Sequence, residues 1–418
     1  MKRWTMVLTA LIFLFTTGLG HAATTQVDSL IEKLIEKGIL TKSEARGIKQ
    51  EIVSDEKVLR EDAMKTSIPE WVQKTKIKGD ARVRYQYERR ENDTEARTRG
   101  RVRFRLGVDS QINDQWKMSA GLATTEVGTG STVDDARSTN MTFTDGFRRG
   151  DIRLDYAAAE YQPAPWAKAI VGKFVKTDYL WVPTDLLWDT DINPAGGGLH
   201  LEHKFSDNVS VYLNNGVWVI DENGKTDRTD PFLVYSQAGI KNKMGSIDTN
   251  LAGVYYGFNG VKGITVDGTS ATNTLTGGVL QYDYDSMGAS AEVGFKNPFG
   301  LECFERLAFF GDFIHNMDPD DNANGWASGV KFGDAKVVGK NQWQARYQYA
   351  YLGKDAFVDA FPDSDRLGGI TDVKGHEWIL EYGLSKNVVL ALDYYQDDRI
   401  TAAKNRQKLI QADINLKF

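Results

Sequence analysis

One stretch of the sequence alternates in a regular way, Arg97-Thr98-Arg99-Gly100-Arg101-Val102-Arg103-Phe104-Arg105-Leu106-Gly107-Val108. In an extended strand this spacing places the five arginines on one face and the apolar side chains on the other, whereas a helix would scatter them. Five like charges on one face repel unless water or carboxylates screen them, so we expect that face to be wet. The stretch therefore predicts a β-strand between water and an apolar medium, as in the wall of a water-filled membrane barrel.

Two other interpretations fit this stretch when it is taken alone. It could be an ordinary surface strand of a soluble sheet, or a basic ladder that lies along a nucleic acid. The two ends of the chain favour the membrane barrel instead.

The N-terminus has the three parts of a secretory signal peptide. Lys2 and Arg3 precede an apolar run over residues 6–14, and Gly20-His21-Ala22 places small residues for cleavage before Ala23. Residues 1–22 are therefore predicted to be removed and the protein to leave the cytoplasm. The single cysteine, Cys303, cannot form a disulfide within the chain.

Charge and hydropathy exclude several classes of protein. Removing Lys2 and Arg3 from the 51 Lys+Arg leaves 49 against 57 Asp+Glu, a net charge of −8, which argues against nucleic-acid binding. No uncharged apolar stretch after the signal reaches the roughly 20 residues of a spanning helix. A barrel strand shows lipid only at every second side chain, so low hydropathy does not exclude a membrane barrel.

The C-terminus carries the second strong pattern. Residues 410–418, IQADINLKF, are apolar at every even position and end on Phe418. A final alternating strand that ends in an aromatic residue resembles the signal by which the outer-membrane assembly machinery recognises its substrates. Phe418 is therefore the predicted assembly signal.

Residues 23–75 differ in composition from the barrel region and predict a periplasmic helical hairpin with a linker. Val27, Leu30, Ile31, Leu34 and Ile35 recur at helical spacing. Gly38 ends this helix, and Thr41 or Ser43 caps a second one that runs to about residue 59. A packing element beneath the barrel and a self-associating stalk both remain open for this hairpin.

Residues 76–418 are predicted to form a transmembrane antiparallel β-barrel. Seventeen alternating segments are separated by turn-rich stretches: 80–89, 97–108, 115–125, 151–162, 167–176, 198–205, 209–220, 232–241, 247–258, 275–285, 289–296, 306–315, 326–333, 342–352, 377–384, 388–397 and 408–418. Bacterial barrels have even strand numbers, so we predict about 16 strands, with 18 as the second choice. Strand directions counted from the two ends conflict near residues 286–305, where we expect the error. Residues 127–148, 177–196, 259–274 and 353–374 are predicted external loops.

The first two strands bring arginines together, because residues 91–96 form a short connection between them. Their predicted pore-lining side chains are Arg82, Arg84, Arg99, Arg101, Arg103 and Arg105. The loop 177–196 is unusually apolar and is predicted to fold inward, with Asp185, Asp189 and Asp191 as constriction residues. An acidic loop opposite a basic wall would orient dipolar solutes while hydrated ions pass, with a lean toward anions. The alternative is that these acids decorate an external loop and pair with Arg148 or Arg149.

Catalytic and metal-binding patterns are weak in this sequence. It has no nucleophile elbow, phosphate-binding loop or dinucleotide fingerprint with the correct spacing. His200 and His203 would point to opposite faces of a strand, and residues 318–322 lack the glycine and distal glutamate of a calcium loop. We therefore predict no catalytic residues, no metal and no cofactor.

Four segments resemble the putative-porin family of Gram-negative outer membranes: GDARVRY at 79–85, the arginine stretch at 97–107, LWDTDINP at 187–194 and KGILT at 37–41. The resemblance implies a diffusion channel with no established ligand. We expect the channel to pass small hydrophilic solutes and ions and to lie in outer-membrane lipid, with a homotrimer as an open possibility for its assembly. One departure is Asn193-Pro194-Ala195-Gly196, where an acidic residue is expected before the glycine.

Two other functions remain in view. A non-conducting structural or adhesive barrel would have its lumen plugged by the loop 177–196. A membrane-embedded hydrolase would need a serine and a histidine on one wall, which the sequence does not offer.

Overall fold

The computed structural model describes residues 30–48, 50–51, 69–126, 135–144, 149–224, 230–268 and 271–418. The predicted signal peptide, residues 1–22, lies outside the described residues, as do residues 52–59 of the second predicted helix. The chain divides into two compact units, Met1–Gln73 and Lys74–Phe418. The predicted boundary between hairpin and barrel, after residue 75, remains a prediction.

The first unit is helical where it is described. Residues 30–36 and 42–48 are helical, as are residues 50–51, and Glu70–Gln73 forms a further short helix. Gly38 has φ +68°, the left-handed conformation that ends a helix, and Thr41 and Glu44 cap the next one reciprocally. Of the two predicted caps, Thr41 is the one used. Among the described residues, no helix has the length and apolar character to cross a membrane.

The second unit is one closed antiparallel sheet. Its sixteen long strands among the described residues are β1 Thr75–Arg90, β2 Arg97–Gln111, β3 Trp116–Thr125, β4 Asp151–Ala164, β5 Ala167–Lys173, β6 Ala195–Lys204, β7 Val209–Val219, β8 Phe232–Met244, β9 Ile247–Asn259, β10 Ser286–Lys296, β11 Arg306–Asn316, β12 Asn324–Gly333, β13 Trp343–Leu352, β14 Val373–Ser385, β15 Val388–Arg399 and β16 Gln407–Lys417. Each strand pairs with the next, and β16 pairs with β1. The predicted barrel of about 16 strands is confirmed.

One of the seventeen predicted segments, 275–285, is not a barrel strand. Only Leu275–Thr276 and Val279–Leu280 pair there, as a small separate hairpin. Tyr284 has φ +66° and is fully buried, with its hydroxyl 3.0 Å from Asp355. The alternation of tyrosines and aspartates in this segment therefore reflects loop packing. Counting the segment as a strand reverses the direction of the strands that follow, which explains the conflict expected near residues 286–305.

The outer and inner faces of the wall follow the alternation. Along β8, Leu233, Tyr235 and Gln237 are buried, whereas Phe232 and Val234 are exposed. Exposed apolar side chains on the outside of a closed barrel are what lipid would cover, and the buried ones point into the lumen.

The seam between the first and last strands is closed by the C-terminal residue. The amide of Phe418 donates to the carbonyl of Gly79 at 3.0 Å, and the amide of Gly79 donates back to Phe418 at 3.0 Å. A Cβ at Gly79 would lie 2.3 Å from the carbonyl oxygen of Arg105 and 2.5 Å from the Phe418 ring. Glycine is therefore needed here so that strand and ring can approach. The assembly-signal role of Phe418 remains a prediction.

Two long connections fold into the barrel instead of standing away from it. The 174–194 loop contacts β8 through Trp181 and Gln237 and contacts β11 through Thr184 and Asp312, and it also reaches β2 through Asp191. These strands are far apart around the sheet, so the loop crosses the interior. The predicted inward course of this loop matches that path.

The 353–372 loop packs against the 174–194 loop in an apolar cluster. Trp188 of the first loop lies 5.0 Å from Phe361 and 5.3 Å from Phe357 of the second, measured between ring centroids. The indole N–H of Trp188 donates to the Tyr256 hydroxyl of β9 at 3.2 Å, and the ring of Trp218 on β7 lies 5.1 Å from the ring of Trp188. We call these five residues the aromatic cluster. It packs against the β7–β9 side of the lumen.

Candidate functional site

The arginines predicted from the sequence form one continuous surface on the lumen face of β1 and β2. The strand register pairs Arg82 with Arg103, Arg84 with Arg101, and Asp80 with Arg105. We call the six side chains the arginine wall: Arg82, Arg84, Arg99, Arg101, Arg103 and Arg105. Six cations on adjacent strands require carboxylates or water between them, and the carboxylates are distributed unevenly along the wall.

Asp80 and Asp191 neutralise the end of the wall nearer to Phe418. Asp80 accepts from Arg103 at 2.7 Å and from Arg105 at 2.7 Å. Asp191, which comes from the 174–194 loop, lies 3.3 Å from Arg105 and 4.0 Å from Arg103. Two carboxylates therefore hold two arginines at this end.

The middle of the wall is tied to the last strand and to a loop. Arg84 donates two hydrogen bonds of 2.8 Å to the carboxylate of Asp413 on β16, and Asp365 lies 3.6 Å away. Arg82 donates to the Asn140 side chain at 2.6 Å. The paired, planar geometry of Arg84 and Asp413 fixes the arginine across the seam of the barrel.

The end nearer to the 91–96 connection has fewer acceptors. Arg99 reaches Glu88 at 3.5 Å, and Arg101 donates to Gln86 at 3.3 Å and to Ser138 at 3.2 Å. A cavity of about 270 Å³ lies beside these groups.

The three candidate acids of the 174–194 loop point in different directions. Asp191 contacts the arginine wall and also accepts from the amide and hydroxyl of Thr139, at 3.1 and 2.9 Å. Asp189 accepts from the amide of Ser364 at 2.9 Å, and Asp185 accepts from Gln348 of β13 at 3.1 Å. The structure thus brings one of the three acids to the arginines, in direct contact instead of across open space.

The neighbouring acids Asp189 and Asp191 have opposite pKa shifts. Burial, with repulsion from Asp191, raises the pKa of Asp189 to about 7. Burial also disfavours the charged form of Asp191, but Arg103 and Arg105 outweigh it and hold the pKa of Asp191 below its ordinary value. Asp191 is therefore the permanent charge of the pair, and Asp189 takes up a proton near neutral pH.

Sequence reasoning missed the inward course of the 353–372 loop and the acids that anchor it. Arg366 of this loop donates to Glu377 of β14 at 2.7 Å and to Asp397 of β15 at 2.8 Å. Burial raises the pKa of Asp363 in the same loop well above its ordinary value. The apolar run 356–358 and Phe361, unusual for an exposed loop, are the signal that could have revealed this packing.

Within the described ranges, no group of three or more His, Cys, Asp or Glu side chains is arranged to hold a metal ion. Cys303 is exposed and free.

Comparisons with known proteins agree with the barrel. The family model described as putative porin matches residues 86–290 and 280–418. No curated protein sequence matches the chain. Among solved structures, OprB of Pseudomonas putida at high pH shares 12% identity, with a TM-score of 0.55 over 84% of this chain and 96% of that one.

Two further structures are less similar. The outer membrane channel DcaP of Acinetobacter baumannii shares 11% identity, with a TM-score of 0.45 over 82% of this chain and 97% of that one. A triple mutant of the Rhodopseudomonas blastica porin shares 11% identity, with a TM-score of 0.42 over 82% of this chain and all of that one.

The resemblance, the barrel and the location expected from the sequence are confirmed by the family match and by the fold shared with OprB. The chain is a 16-stranded β-barrel of the Gram-negative outer membrane and belongs to the putative-porin family.

Proposed function

We propose that this protein is a passive diffusion channel for small hydrophilic solutes and ions, with the arginine wall lining the passage. The observation that carries the proposal is the division of the lumen. One side, along β7–β9, is covered by the aromatic cluster, whereas the side around β1 and β2 presents charged and polar groups. Polar surface inside a membrane barrel needs water, and water offers a route to solutes.

The passage is narrowed by the two loops and carries charge of both signs. Asp191 and Asp80 face the arginine wall at one end, while Glu377, Asp393 and Asp397 lie on β14 and β15. Neighbouring basic and acidic surfaces give a field across the passage, which orients dipolar solutes. The cations of the arginine wall favour anions over cations of similar size.

The test is electrical recording from the mature protein in a planar bilayer, with a salt gradient. We expect discrete current steps, and a reversal potential that moves toward cation selectivity in the variant Arg99→Gln/Arg101→Gln/Arg103→Gln. The matched control is Lys204→Gln/Lys243→Gln/Lys386→Gln, which removes the same charge at exposed positions of strand ends and a turn. An equal shift in both variants would contradict an arginine-lined passage.

A second candidate is a non-conducting structural or adhesive barrel. The aromatic cluster favours this candidate, because aromatic side chains from two loops and from two strands of the wall pack together inside the lumen. Folded, heat-modifiable protein that never conducts would support this candidate over the channel.

The remaining assignments belong to the same proposal. Residues 23–75 would form the periplasmic hairpin, Phe418 the signal for the assembly machinery, and three copies a homotrimer in outer-membrane lipid. We propose no catalytic residue and no cofactor. Cross-linking of intact outer membranes would measure the number of copies.

A further inference from the structure

We infer that Arg97, Arg99 and Arg101, together with the cavity beside them, form a binding subsite for the oxyanion of a small solute, a carboxylate or a phosphate. We call these three residues the loop-end arginines. The inference rests on the proposed channel function and gives that channel a preferred class of solute.

The first observation is the number of unused donors on the loop-end arginines. A guanidinium group has five N–H donors. Among the described residues, Arg99 has one contact, at 3.5 Å to Glu88, and its buried Nε has no acceptor. The buried Nε of Arg101 also has none, and no carboxylate of the described chain lies within ion-pair distance of Arg97.

The far end of the arginine wall is better supplied with acceptors, although in the middle of the wall the buried Nε of Arg82 also has none. Arg84 has both oxygens of Asp413, and Arg105 has Asp80 and Asp191. The two ends of the arginine wall therefore differ. At one end carboxylates of the protein accept from the guanidinium groups, and at the other end some guanidinium donors have no acceptor.

The acids that line the same cavity do not remove the shortage. Glu88 is engaged with Arg90 at 2.7 Å, and Asp135 with Arg137 at 2.9 Å. Asp365 accepts from Gln411 at 2.8 Å. Glu126 lies 3.6 Å from Arg101 and is half exposed to solvent, so it screens that arginine only in part.

A buried guanidinium donor without an acceptor is unfavourable, and an oxyanion supplies two acceptors in the spacing that a guanidinium matches. The cavity of about 270 Å³ has room for such a group. Its neutral lining is polar, with Gln86, Ser138, Ser364 and Gln407 among the described residues, and Leu409 is the one large apolar side chain. This composition suits a small hydrophilic anion better than a lipid or an aromatic solute.

Binding at this subsite has a consequence for transport. The next arginines along the wall are already paired with carboxylates, so a bound oxyanion gains less by moving on than by staying. Its flux should therefore saturate with concentration, and a poorly permeant oxyanion should reduce the chloride current while it occupies the subsite.

The experiment measures this block on the mature protein in a planar bilayer. Potassium chloride carries the current, and acetate or inorganic phosphate is added to one side. The variants are Arg99→Gln/Arg101→Gln and Arg99→Lys/Arg101→Lys, and the control is Lys331→Gln, a lumen cation on β12 that is paired with Glu292. We expect the half-blocking concentration to rise at least tenfold in the glutamine variant and less in the lysine variant, which keeps charge without the planar fork. The control should match the natural protein.

Each outcome decides between the claims. Block by acetate alone, phosphate alone or both supports the subsite and identifies its oxyanion. Channels that neither anion blocks, or that are blocked equally in natural protein and both variants, would overturn the subsite but leave the channel intact. No current from any folded protein would instead overturn the proposed channel. If the glutamine variant fails to fold, a lysine variant with unchanged block overturns the inference.

Discussion

The contact between Asp191 and Arg105 should hold the 174–194 loop against the barrel wall, and its strength can be measured. The perturbations are Asp191→Asn, which keeps the shape and removes the charge, Arg105→Gln, and the two combined. At 3.3 Å the Coulomb energy is about 5 kcal/mol for an effective dielectric constant of about 20. Arg105 is 34% exposed on its side chain and also shares Asp80, so water and competition reduce this value.

We therefore expect a coupling energy of about 2 kcal/mol between the two sites in a double-mutant cycle. The assay is equilibrium unfolding in urea of protein in phospholipid vesicles, followed by tryptophan fluorescence. The control cycle combines Arg105→Gln with Asp178→Asn, an exposed acid at the start of the same loop, and should be additive. A coupling below about 0.5 kcal/mol for Asp191 would show that lumen water screens the pair like a surface salt bridge, and would refute the anchoring role.

Three further predictions follow from the loops and the seam. Because the pKa of Asp189 is raised in the folded protein to about 7, the native state holds its proton more tightly than the unfolded chain, so the free energy of unfolding should fall as pH rises from 5 to 8. Urea midpoints across this range should show the slope in natural protein and a smaller slope in Asp189→Asn, because Asp363, whose pKa is also raised by burial, still contributes; an unchanged slope would mean that Asp189 does not contribute to it. Trp188→Ala should lower the free energy of unfolding by about 3 to 5 kcal/mol, since it empties the centre of the aromatic cluster, and urea unfolding with a surface variant, Trp166→Ala, as comparison would measure this. Gly79→Ala should reduce the heat-modifiable fraction on gels even when combined with Phe418→Ala, because the added Cβ meets the backbone oxygen of Arg105 as well as the ring; full recovery in the double variant would show that the ring alone matters.

Alternation was enough to predict most of the strands, because each strand of a membrane barrel has one face toward lipid and the other toward the lumen. It failed at residues 275–285, where Tyr284 is buried against Asp355 of a distant loop. A two-residue period can arise from such packing as well as from two solvents, and nothing local separates the two cases. The pairing of β1 with β2 was predictable for a different reason, since a short connection leaves few alternatives.

The candidate site was only partly accessible from sequence. That the arginines share one face follows from their spacing, but which of them are neutralised depends on Asp413 and Asp191, which are more than 80 residues away along the chain. The same is true of Asp185 and Asp189, whose partners lie on β13 and in the 353–372 loop. Ion pairs and hydrogen bonds between distant parts of the chain decide the electrostatics of this lumen, and local sequence patterns do not indicate which residues pair.

The aromatic cluster lies on one side of the lumen, away from the arginine wall, so different residues fill the barrel and carry its charge. Substitutions of Arg99 and Arg101, which have few partners in the protein, would alter the charge of the lumen with little effect on packing, whereas substitutions in the aromatic cluster would mainly affect stability. In protein engineering, the positions of Arg99 and Arg101 are accordingly the ones at which to change selectivity, while Arg84, Arg105 and the aromatic cluster are left in place.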